Sequence, residues 1–326
     1  MIIINIIFVM GIKNLKKVMD KYALTAIKIT NISEYKNKTI AIDFSLMVYK
    51  MIFAIRFNGY DIKNDDIIVT HIHSLLLKMQ GFKKYNITPI FVLDGMPPKI
   101  KEDTLKQRKE FQNFMKQKYY KAVTQDEKKK YYFMKSNISQ KEITDCVELI
   151  KLFNYTIIES LEEADSQLAD LIKKNKVDYI VTDDMDILIF GGNKILKNFT
   201  VSDKKKIQEI DLDIFKKEAS LTQSQLIDLG ILLGCDYCPS IKGIGPIGAY
   251  KLIKKYGSLD KILKREPIAL SYDYIKARNY FNDSPVIDSN QINVNKINID
   301  KEGLIKFLKK FNYKEKYINN LLNKLF

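Results

Sequence analysis

The 326-residue sequence predicts an α/β fold, a mostly parallel central sheet flanked by helices, interrupted by exposed helices and followed by a helical C-terminal part. Three observations carry that expectation. Short apolar, β-branched runs alternate with longer stretches of helical period until about Asp211. The first four of those runs end at, or just before, a carboxylate. In an open parallel sheet the site lies outside the carboxyl ends of the strands, so these endings should meet at one edge. After Asp211 the pattern is helical throughout.

The chain opens on MIIINIIFVM, an apolar run of ten residues. About 20 are needed to cross a bilayer, and no basic segment precedes the run as in a signal peptide, so no membrane span is expected. The run reads either as a strand joining the core or as sequence upstream of a translation start at Met10. The strands expected next are Thr39 to Asp43, Thr88 to Asp94, Tyr155 to Glu159, Val177 to Thr182 and Lys194 to Phe199. Between Lys99 and Lys135 the chain is rich in Lys, Gln, Tyr and Phe and lacks Gly, which predicts exposed helices projecting from the body. They read either as a solvated pair or as a basic clamp. In the clamp, Phe111, Phe114, Tyr119, Tyr120, Tyr131 and Tyr132 would stack bases while Lys neutralises phosphate. Thr222 is the expected N-cap of the run QSQLIDLGILLG, and the Asn-rich stretch from Asn282 to Asn298 reads as loop.

Composition narrows the partner. With 46% hydrophobic and 29% charged residues the chain should fold as a globular protein, and its length suits two domains or one large domain with insertions. Its 54 Lys and Arg against 39 Asp and Glu leave a formal charge of +15, which points to a polyanion, either nucleic acid or an acidic membrane surface. Three cysteines make no disulfide framework, so a reducing, intracellular compartment is expected. A zinc site is not expected, because Cys235 and Cys238 lack a second pair and the two histidines, His71 and His73, lie far away in sequence.

Seven acids stand out by position: Asp43, Asp94, Glu163, Asp165, Asp184, Asp186 and Asp236. Any one could be a turn former or helix cap. The pairs Glu163/Asp165, opening a helix, and Asp184/Asp186, following a strand, are harder to read that way. So many like charges at one sheet edge need cations, and hard oxygen ligands suit two Mg²⁺ ions, with Mn²⁺ as a substitute. Two ions roughly 3.5 to 4 Å apart support in-line attack of water on a phosphodiester, so no catalytic His, Ser or Cys is required. Setting these seven aside leaves 32 acids against 54 basic residues, a segregation suited to a nuclease. Past Asp236, the run from Ser240 to Ile253 places Gly243, Gly245 and Pro246 at a helix start ahead of Lys251, Lys254 and Lys255. Glycines there let backbone approach phosphate at a helix N-terminus, the pattern of a helix-hairpin-helix DNA-binding element.

The segments MGIKNL, AIDFSLMVY, FVLDGMPPKIK, EADSQLADL, TDDMDILIFG and IDLGILLGCDYCPSIKGIGP, in this order over roughly residues 10 to 265, resemble the flap endonuclease family. These are structure-specific 5′ nucleases related to the xeroderma pigmentosum group G nuclease. The resemblance implies a PIN-like nuclease core and makes all seven acids metal-site carboxylates. It implies that Lys101 and Arg108 form the basic pair at the base of a helical arch, with Tyr49 stacking near the scissile nucleotide. Arg56, Lys78 and the backbone of Gly234 are then DNA contacts, and Ser240, Ile241 and Ile244 belong to a loop holding K⁺ against phosphate. The 69 positions from Asp94 to Glu163 suit the short arch of flap endonucleases. Three departures from the family pattern are Ile247-Gly248 in place of a Lys-Arg pair, the lack of a sliding-clamp peptide before Phe326, and nine residues ahead of Met10, where an apolar run would obstruct the site.

The expected organisation is an N-terminal nuclease region (10–98), the arch (99–140), an internal nuclease region (141–220), the helix-hairpin-helix region (221–265) and a C-terminal helical extension (266–326). The expected activity is 5′ flap endonuclease and 5′ to 3′ exonuclease action on branched DNA in replication, repair or recombination. The protein would work as a monomer in the nucleus or, if viral, at the site of viral DNA replication. The alternatives are a Holliday-junction resolvase, a mainly exonucleolytic relative, or a DNA-binding factor without nuclease activity.

Overall fold

A computed structural model of the chain describes residues 11–326 apart from Lys13, Ser136, Asn137, Ala269 and Ser271. The readings placed on residues 1–10, including the start at Met10, lie outside the described residues.

The first part of the chain runs through helix α1 (Leu15–Tyr22), strands β1 (Ile27–Thr30) and β2 (Thr39–Asp43), α2 (Phe44–Arg56), a small hairpin of β3 (Lys63–Asn64) and β4 (Ile67–Ile68), α3 (Thr70–Lys84) and β5 (Thr88–Leu93). Two exposed helices follow, α4 (Glu102–Lys121) and α5 (Gln125–Lys135). The chain then returns through α6 (Gln140–Leu152), β6 (Thr156–Glu159), α7 (Ala164–Lys173), β7 (Tyr179–Val181), α8 (Asp186–Ile189), β8 (Ile195–Lys197) and β9 (Ile207–Ile210). The remainder is helical: α9 (Leu212–Glu218), α10 (Gln223–Leu233), α11 (Pro246–Tyr256), α12 (Leu259–Arg265), α13 (Tyr274–Asn282), α14 (Lys301–Lys310) and α15 (Glu315–Leu325).

Among the described residues, seven strands form one sheet in the order β1-β9-β8-β7-β2-β5-β6. The four pairings from β8 to β6 are parallel, and β9 pairs antiparallel with both β8 and β1. The central strand β2 reads TIAID with Ile40, Ala41 and Ile42 fully buried, the near-continuous apolar run of a strand covered on both faces. One face carries α1, α7 and α10 to α13, packed through Leu15, Leu168, Ile231, Ile253 and Phe281. The other carries α2, α3, α6, α14 and α15, packed through Ile52, Leu75, Leu149, Phe307 and Leu321. The C-terminal helices α14 and α15 thus complete the core on one face.

The five expected strands all form, Thr39–Asp43 with its expected bounds and the other four shortened at one or both ends. The antiparallel strands β1 and β9 were not foreseen, because IKIT and IQEI are four-residue runs with polar residues at two positions and little apolar pattern. Thr222 caps α10 in a reciprocal capping box with Gln225. Helices α4 and α5 project as expected; Met115 is the one buried side chain of α4, while Phe114 and Tyr120 are exposed. The pair is tied to the body where Tyr132 donates to Asp61 at 2.6 Å.

Candidate active site

Four of the five parallel strands, β7, β2, β5 and β6, lie side by side, and their carboxyl ends deliver the acids to one edge. Asp43 ends β2 and accepts from the Leu46 N–H at 2.9 Å, capping α2. Asp94 follows β5 and accepts from the Ala164 N–H at 3.0 Å, at the start of α7. Glu163 is the N-cap residue of that helix and Asp165 lies in its first turn. Asp184 and Asp186 flank the turn from β7 into α8, the Asp186 N–H donating to Asp184 Oδ1 at 2.9 Å. Asp236 comes from the loop after α10. Repulsion between neighbouring charges links the seven, Asp43 with Asp94 and Asp184, Asp165 with Asp43, Glu163, Asp184 and Asp186, and Asp186 with Asp236, and all but Asp94 and Asp165 carry less than a tenth of their surface exposed. Glu159, the remaining strand-end acid, stays exposed on β6. Gly11 passes over the cluster, where an added Cβ would collide with Asp184.

Burial, reinforced by the neighbouring charge of Asp94, pushes Asp43 up to about 8. Burial likewise raises Asp184 to about 6 and holds Asp165 and Asp186 well above the usual carboxylate range, with neighbouring acids adding to the last two. Asp236 goes the other way: burial opposes its charge, but Lys101 and Arg108 outweigh burial and lower it. The Lys101 ammonium bridges Glu163 and Asp236, the second at 3.0 Å, and Arg108 Nη2 donates to both oxygens of Asp236 at 2.7 and 2.9 Å. As the side chains stand, no three described acids converge on one ion position. The donor set nonetheless fits hard divalent cations. It is all carboxylate oxygen, and Asp165 Oδ1 and Asp186 Oδ1 are buried without a hydrogen-bond partner.

Around this edge the expected contacts divide. Tyr49 sits on α2 with its ring stacked on Phe53, centroids 3.8 Å apart. Lys78 is half-buried on α3, where burial and then Lys50 lower its ammonium to about 8, beside Asp183 and Lys205. Arg56 is a correction: it is buried rather than presented to DNA, its guanidinium held by Asp61 at 2.9 Å and Glu142 at 2.6 Å. Gly234 has φ 84°, and an added Cβ would lie 2.5 Å from the Ser240 N, so the turn needs glycine. Beyond it, Ser240, Gly243 and Gly245 are exposed, Ile241 and Ile244 are half-buried and joined by an Ile244 N–H to Ile241 carbonyl bond of 3.2 Å, and nothing crowds the two glycines. Of the helix that follows, Lys254 donates to the Ser220 carbonyl and Lys255 pairs with Glu266. Cys235 and Cys238 close a tight turn as free thiols, Sγ atoms 3.3 Å apart.

Sequence reasoning missed three residues here. Thr182 donates to Asp43 at 3.2 Å and accepts from the Asp184 N–H at 3.1 Å; Thr104 donates to the Asp236 carbonyl at 2.7 Å; and Tyr237 donates to Glu163. Adjacency to the acids was the available signal for Thr182 and Tyr237.

An acid cluster at the carboxyl edge of a parallel sheet, basic residues reaching into it and an exposed glycine hairpin beside it define a class: nucleases that use metal to hydrolyse phosphodiesters. Residues 10–114 match the XPG N-terminal domain and residues 154–236 the XPG I-region. The chain is 34% identical over 310 residues to Flap endonuclease 1 of Xiphophorus maculatus, covering 92% of this chain and 82% of that one. The solved flap endonuclease-1 from Methanococcus jannaschii superimposes with a TM-score of 0.71 at 28% identity, covering 92% of this chain and 95% of that one. The catalytic core of Rad2 in complex with a DNA substrate shares the fold, with a TM-score of 0.76 at 24% identity, covering 97% and 100%. The chain belongs to the flap endonuclease family and is a structure-specific nuclease.

Proposed function

We propose that this chain cleaves 5′ flaps and recessed 5′ ends of branched DNA at the acid edge, as a monomer, with two Mg²⁺ ions that Mn²⁺ can replace. Asp94, Glu163 and Asp165 would hold one ion and Asp184 and Asp186 the other, with Asp43 and Asp236 acting through water. Two such ions, when bound, neutralise the phosphodiester and orient water for in-line attack. Lys101 and Arg108 reach the same carboxylate from seven residues apart, about two helical turns and about 10 Å, so both can face one strand and stabilise charge on the scissile phosphate. Tyr49 offers a ring for stacking; Lys78, Gly234 and the hairpin at Ser240, Ile241, Gly243, Ile244 and Gly245 would hold phosphate, with K⁺ at the hairpin loop. The observation that carries this reading is the pair of partnerless buried oxygens, on Asp165 and Asp186, within seven clustered acids.

The test is cleavage of end-labelled double-flap, nicked and four-way DNA with and without Mg²⁺. Mg²⁺-dependent cutting at the flap base is expected, and Asp186→Asn should abolish it while DNA binding persists. More than a few per cent of wild-type rate in that variant would overturn the two-ion assignment, and faster cutting of four-way DNA would favour a junction resolvase.

A further inference from the structure

We infer that Tyr237 is a positioning residue for the metal carboxylate Glu163, and that helix α13 holds Tyr237 in place. This rests on the reading of Glu163 as a metal ligand. Although Glu163 stands at the N-cap of α7, its side chain makes no capping bond to its own helix. Its direction is set instead from outside: Lys101 takes Oε1, and the Tyr237 hydroxyl donates to Oε2. A carboxylate offers about four lone-pair sites, so each oxygen keeps one for an ion while these donors fix the plane of the group.

Tyr237 is itself buried and is wedged by aromatic rings rather than by backbone. Its ring lies edge-on to Tyr280 at 4.9 Å and to Phe281 at 5.1 Å, both on α13. Phe281 also packs against Phe190 at 5.0 Å, one turn beyond Asp186 at the end of α8. Past α13 the chain straps α7 directly. Gln167 and Ile287 exchange side chain-to-backbone bonds of 2.9 and 2.8 Å, and the Ser289 N–H donates to Asp170 at 3.0 Å. The segment from Tyr274 to Ser289 therefore touches the three elements that carry Glu163 and Asp165, Asp186, and Asp236. It lies beyond residue 236, where the XPG I-region match ends.

Outer-shell donors to a ligating group typically contribute about 10- to 100-fold to metal affinity. The experiment measures Mn²⁺ binding by electron paramagnetic resonance, without DNA, on wild type, Tyr237→Phe, Phe281→Leu, Glu163→Gln and the Tyr237→Phe/Glu163→Gln double variant, with thermal melting alongside. Tyr237→Phe should weaken Mn²⁺ binding about 10-fold or more. Phe281→Leu, which keeps an apolar filler but loses the ring contact, should weaken it less. In the Glu163→Gln background the Tyr237 substitution should add nothing. Unchanged affinity in Tyr237→Phe alongside a loss in Glu163→Gln overturns the positioning role while leaving the ligand reading intact. Unchanged affinity in Glu163→Gln overturns the ligand reading and the inference with it.

Discussion

Arg108 separates a catalytic role from a merely structural one. Its guanidinium is about one-third exposed, 35% of the side chain, and pairs with Asp236 at 2.7 Å. A partly exposed pair of this kind contributes about 1 kcal/mol or less to folding, so Arg108→Ala should leave the melting temperature nearly unchanged. Ground-state DNA binding should also change little, since one of 54 basic residues is lost. If Arg108 instead stabilises charge developing on the scissile phosphate, its loss falls in the range of a removed preorganised donor, about 2.7 kcal/mol or about 10² in rate. The assay is single-turnover cleavage of a flap substrate at saturating Mg²⁺, with affinity measured on the same DNA. A rate within about threefold of wild type, equivalent to about 0.65 kcal/mol, would refute the catalytic assignment. A weakened affinity at unchanged rate would make Arg108 a binding residue only.

Two further outcomes follow from the acid edge and the loop beside it. Asp43 and Asp184 have folded-state values raised to about 8 and about 6, so the folded chain binds more protons than the unfolded one above the ordinary carboxylate range. Stability in a chelator should therefore fall as pH rises from about 5 to about 8, and Mg²⁺ should raise the melting temperature more at the upper end; a melting temperature flat across that window would refute it. Gly234→Ala places a Cβ 2.5 Å from the Ser240 N at φ 84° and should cost about 1 to 3 kcal/mol. A thermal melt that does not move would show that the loop yields without strain.

Much of this protein was legible from local pattern. Apolar runs such as TIAID and TPIFVL announced buried parallel strands because both faces of such strands must be apolar, and their carboxylate endings announced the edge where Asp43, Asp94 and Asp184 meet. Thr222 announced a helix start, and the GIGP turn an exposed hairpin, because capping and glycine geometry are decided within a few residues. What could not be read was set by pairing across the chain. Strands β1 and β9, at one end of the open sheet, form because Ile27 and Ile210 pair across the chain, not because IKIT or IQEI demands it. Arg56 looked available for phosphate until the fold brought Glu142, 86 positions away, against it; a buried guanidinium requires such a partner, and no local pattern names one. Nothing in the local sequence singles out Tyr237; its role arises where α7 places Glu163, 74 positions distant, over its hydroxyl. Hydrophobic period and turn chemistry act over a few residues, whereas the direction of a buried polar group depends on whichever distant segment packs against it.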